Sequence, residues 1–96
     1  MFVGVCVLEL RIPGSFSLKD KRQVVRSAVQ RMRQKFNVSV AEVGELDLWN
    51  VASLGIVCVS NERARAEAVL NKAVAWLEEE RLDAEIGDFN ITVEQW

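Results

Sequence analysis

Histidine is absent from the 96 residues, which removes the usual proton shuttle near neutral pH and the commonest metal ligand. Cys6 and Cys58 each stand inside an apolar run, far apart and with no C-x-x-C pair. A zinc site needs about four well-spaced ligands, so reduced core thiols are expected and no metal or cofactor. A bridge between the two is open only if both fall on the covered face of adjacent strands, with Cα atoms within about 7 Å. Ser15 and Ser17 have no histidine to activate them, and a pairing with Lys19 or Lys21 is no more than formal. Glu42, Glu45 and Asp47 cluster beside a turn, where carboxylates are ordinarily solvated. Glu78 to Glu80 sit at a helix end unfavourable to negative charge, which would suit a basic partner. None of these spacings builds an activated nucleophile or an acid–base pair, so the expectation is a protein that is not an enzyme.

The positive charge is more informative. Lys19, Lys21, Arg22, Arg26, Arg31, Arg33 and Lys35 stand against the single acid Asp20, giving 19–35 a net +6; the remaining five basic and thirteen acidic residues give −8. A mildly acidic total of −2 hides this asymmetry. At about 100° per residue, Lys19, Arg22, Arg26 and Arg33 fall in one narrow sector beside an apolar stripe, with Arg31 and Lys35 on the other flank. Such a ridge could follow successive phosphates, with Lys21 assisting. The helix start, preceded by Pro13-Gly14-Ser15-Phe16-Ser17, offers free amides and an anion-binding loop at Ser15 and Ser17. It is not a Walker A loop, because the second glycine and the Lys-Ser/Thr pair are missing. The bland alternative is a solvated helix face whose charges pair with the acidic second helix or last strand.

The elements that must position these groups follow from period. Residues 2–12 read as a strand apolar on both registers, closed by Pro13-Gly14; residues 18–36 carry a helical stripe of Val25, Ala28, Val29, Met32 and Phe36. Ser17 and Asp20 fit a capping box at the start of that helix. Asn37 to Val43 is a strand, 44–50 a polar connection, and Val51 to Ser60 a second strand apolar on both registers. Ser60 or Asn61 would cap a helix over Glu62 to Glu80, striped by Ala66, Val69, Leu70, Ala73 and Leu77. Residues 84–95 alternate Phe89, Ile91 and Val93 with polar residues, as a half-buried strand does. The order βαββαβ predicts one domain over 1–96, an α+β ferredoxin-like sandwich with a four-stranded antiparallel sheet and two helices on one face. First and third strands are central in that topology, which agrees with their two-sided apolarity.

Two helices cover one sheet face. The other would display Val3, Val5, Val7, Val57 and Val59, a patch that rarely stays wet on a soluble monomer, and a homodimer burying it is expected. A bulge or the 44–50 connection folding over the face is the alternative. An RNA-recognition motif, which stacks bases on aromatics of its two central strands, is excluded because those outward positions are valines. Half the residues are apolar and 27% charged, with no apolar run near the roughly 18–20 residues of a membrane span. No basic region precedes the apolar start, which holds Glu9 and Arg11, so neither a signal peptide nor a membrane partner is expected.

The stretches PGSFSLKDKRQVVRS at 13–27, FNVSVAEV at 36–43 and LWNVASLGIVCVSN at 48–61 together resemble the YlxP-like family of small bacterial proteins of unknown function. The family pattern falls here on Ser17, Leu18, Lys19, Asp20, Lys21 and Arg22, whereas Gly44-Glu-Leu-Asp47 departs from it. The resemblance implies a bacterial cytoplasmic protein with a ferredoxin-like fold and no assigned activity. Genes of the family commonly lie beside those of translation initiation and ribosome maturation, which implies an RNA or ribosomal partner. The leading expectation is an RNA- or ribosome-associated protein, dimeric through the sheet, with Lys19, Lys21, Arg22, Arg26 and Arg33 on phosphates. A protein-interaction module using the valine face is the rival, and a small-molecule regulatory domain a third.

Overall fold

Alternating and helical periods resolve into six elements in a computed structural model that describes residues 1–80 and 82–96. They are β1 (Phe2–Arg11), α1 (Leu18–Lys35), β2 (Ser39–Gly44), β3 (Val51–Ser60), α2 (Arg63–Glu79) and β4 (Glu85–Gln95). The sheet is antiparallel, ordered β2-β3-β1-β4, so the two strands apolar on both registers are the central ones. This is the ferredoxin-like α+β sandwich.

Cys6, Leu8, Leu10, Ala52, Leu54, Ile56 and Cys58 line the covered sheet face. Val25, Ala28 and Met32 of α1, and Ala66, Leu70, Ala73, Val74 and Leu77 of α2, complete the core. Val29, Phe36 and Val69, expected in the stripes, pack at its margin. A Cβ built on Gly4 would stand 2.8 Å from Leu70 Cδ1 and 3.0 Å from Cys58 Sγ, so glycine here lets α2 approach β1 closely.

Two bulges break the ladders. The register shifts between Glu42 and Gly44 of β2, and opposite Leu8 to Leu10 in β4. The second lies beside Phe89, which shares the covered face with Ile91 and Val93, opposite Leu8, but is exposed on the edge strand. The capping box forms, with one difference: Ser17 Oγ accepts from Asp20 N at 3.0 Å, but the Asp20 carboxylate reaches back to Phe16 N at 3.1 Å. The second helix corrects its expected cap. Its N-cap is Glu62, with no side-chain cap bond, and Ser60 Oγ only accepts from Glu62 N at 3.1 Å.

Candidate nucleic-acid interface

Lys19, Arg22 and Arg26 point into solvent along α1, and among the described residues no carboxylate oxygen lies within 4 Å of them. Arg33 ends the row, exposed, with Nη2 donating to Val40 O of the edge strand at 2.6 Å. From Lys19 to Arg33 the row is about 21 Å long at 1.5 Å per residue. Among the described residues, pairing with the acidic end of the second helix occurs on the opposite flank, where Arg31 Nη1 lies 3.3 Å from Oε2 of its C-cap Glu80. That contact explains one carboxylate at the unfavourable end of α2.

Lys21 does not belong to this row. Only 1% of it is accessible, and its Nζ donates to Glu45 O at 2.8 Å, Val51 O at 3.2 Å and Leu46 O at 3.4 Å, with Glu42 Oε2 at 3.0 Å. The position lies four residues before Val25 and seven before Ala28, on the buried stripe, so its ammonium turns inward and binds the 45–50 connection. Glu45 there holds a left-handed backbone (φ 60°), which costs a non-glycine residue about 1 kcal/mol; the lysine on its carbonyl offsets that strain.

The anion-binding loop is corrected too. Ser15 is buried, and its Oγ donates toward Ser17 O at 3.0 Å and Trp49 O. Ser17 Oγ caps the helix, and the Asp20 carboxylate already occupies its N-terminus. A cleft of about 400 Å³ beside that terminus is lined by Ile12, Gly14, Ser15, Gln23 and Val24, with Asp20 and Asp83 as its ionisable groups. The two carboxylates disfavour a phosphate inside this cleft, and the Ser15 and Ser17 hydroxyls are already engaged within the chain.

The same end of the molecule carries a feature that sequence reasoning missed. Phe16 is 81% exposed and Trp49 45%, and the two rings stack at 6.3 Å between centroids with 23° between planes. The partners are 33 positions apart in two loops, so no local spacing signals them; only the sheet order brings them together.

On the uncovered sheet face Val7 is 49% and Val59 62% exposed, with Val3, Val5 and Val57 half-buried beside them. The 44–50 connection reaches one end of this face, where Glu45 and Leu48 line a cleft with Glu9, Val51 and Ser53, and leaves the valines open. Cys6 and Cys58 lie on the covered face as free thiols. They are diagonal rather than opposed, since Cys6 faces Ile56 and Cys58 faces Gly4, and diagonal neighbours stand about 7–8 Å apart, too far for a bridge. Burial pushes both thiols above their ordinary range, which disfavours the reactive thiolate. Among the described residues no group of three or more Cys, Asp and Glu side chains is arranged to hold a metal, and no helix is long and apolar enough to cross a membrane.

The family described as "Protein of unknown function (DUF503)" matches residues 3–91. The chain is also similar to the "Uncharacterized protein YlxP" of Bacillus subtilis (strain 168), 37% identical over 76 residues that cover 79% of this chain and 83% of that protein. The chain therefore belongs to this family of YlxP-like bacterial proteins.

Proposed function

We propose that this YlxP-like family member is a non-enzymatic, RNA- or ribosome-associated protein of the bacterial cytoplasm that holds phosphates along α1. The observation that carries the reading is the row Lys19, Arg22 and Arg26, exposed and free of carboxylates among the described residues, with Arg33 at its end. Unpaired cations on a helix gain more from meeting phosphates than charges already neutralised by neighbours do, because counterion release supplies the affinity.

Fluorescence anisotropy of a structured ribosomal RNA fragment tests this. Four contacts set a slope of log K against log salt of about −3 to −3.6, and Arg22→Glu/Arg26→Glu should abolish binding. Salt-independent binding, or none at low salt, would remove the ridge from function.

A second reading concerns assembly, and the exposure of Val7 and Val59 on the open sheet face favours it. A homodimer formed by apposing two such faces buries the valines and leaves both α1 helices on the outside, where each ridge stays accessible. Light scattering should give twice the chain mass, falling to one on Val5→Lys. A partner protein captured without RNA, and lost on the same substitution, would favour the interaction-module rival. Stabilisation by a metabolite would favour a regulatory domain.

A further inference from the structure

Phosphate contacts position a nucleic acid without saying which form of it is bound. We infer that the exposed Phe16–Trp49 stack is a platform for an unpaired base, so that the ridge takes single-stranded or looped RNA rather than continuous duplex; this rests on the phosphate-binding reading above. The ring centroids stand 6.3 Å apart with 23° between the planes, an offset arrangement, and Phe16, far more exposed than its partner, is open to water. A base laid on it would extend an existing stack. Every base has a π-face, so this recognition tolerates sequence, whereas a duplex keeps its bases inside its own stack.

The loops that carry the rings are built from beneath. Ser15 Oγ donates to Trp49 O, Phe16 N to Asp20 Oδ2, and Lys21 Nζ to Glu45 O, Leu46 O and Val51 O. Ser15 and Lys21 are the two buried polar residues among those described, and both hold the Trp49 loop. Loops whose backbone is held in advance lose less freedom when a ligand arrives.

Charge selects the occupant. Phe16 precedes Lys19 by three residues, and Lys19 and Arg22, in the first two turns of α1, are exposed with no carboxylate oxygen within 4 Å among the described residues. Stacking and phosphate contact therefore come from one end of α1, the combination that single-strand binders use. A purely apolar partner would have to desolvate those cations without pairing them.

The test compares a short oligouridylate with an abasic oligonucleotide of equal length, which keeps the phosphates and lacks the bases. The protein should prefer oligouridylate by about tenfold, and Phe16→Ala should erase that preference while leaving abasic affinity unchanged. Trp49→Phe, which keeps an aromatic ring, should retain most of it. Arg22→Glu/Arg26→Glu should abolish binding of both strands. Equal affinity for the two strands, or a preference that survives Phe16→Ala, overturns the platform and leaves the ridge standing. Absence of binding to either strand overturns both. Binding of an unstructured peptide in preference to oligouridylate, lost on Phe16→Ala, overturns the base and makes the pair a polypeptide anchor.

Discussion

The two helices lie on the same side of one sheet and are secured by different means. Helix α2 has no side-chain cap, no acid in its first turn and no base in its last. Small buried residues, Ala66 and Ala73, let it settle close to the sheet where Gly4 makes room for Leu70. Helix α1 has a side-chain cap, an acid in its first turn and bases in its last, all favourable to the helix dipole, and it buries a lysine where a core residue would stand. Packing holds α2, whereas α1 adds to the packing of Val25, Ala28 and Met32 the cap bond of Ser17 and the tertiary bonds of Lys21.

The largest effect should come from breaking the polar side of this contrast. Lys21→Met leaves the Glu42 carboxylate without its ion pair and three carbonyls without their donor, at a cost of about 3–5 kcal/mol in denaturant unfolding. A loss under about 1 kcal/mol would place α1 with α2 as a helix held by packing. Leu70→Ala should cost about 3 kcal/mol in denaturant unfolding by opening a cavity under α2. The smallest effects sharpen the contrast at the helix starts. Ser17→Ala should lose about 1 kcal/mol, and Glu62→Ser should gain a few tenths up to about 1 kcal/mol by supplying the cap that α2 lacks. Equal responses at the two caps, read from thermal melts, would show that capping does not distinguish them.

The fold was legible because burial leaves a period. Valines and leucines on both registers of β1 and β3 identify central strands, and Val25, Ala28 and Met32 identify the inward face of α1. Of the candidate ridge, solvent exposure was legible where residue type and position agree, as at Lys19, Arg22, Arg26 and Arg33. Lys21 was misplaced because its type outweighed its position: helical spacing put it on the buried stripe, and a lysine there needs acceptors that the sequence does not display. Three of those four acceptors are backbone carbonyls, of Glu45, Leu46 and Val51, more than twenty residues away. Ser15 hides for the same reason, since its partner is the Trp49 carbonyl. The Phe16–Trp49 pair is purely tertiary.

The guanidinium of Arg33 on Val40 O also bears on solubility. Strand β2 is at the edge of the sheet, and edge strands invite like strands to add to them. A charged side chain lying across a carbonyl of that strand blocks such growth, as lysines and prolines do on other sheet edges. Replacing Arg33 therefore unblocks a rim as well as removing a cation, and its variants should be the ones most inclined to form fibrous aggregates on storage.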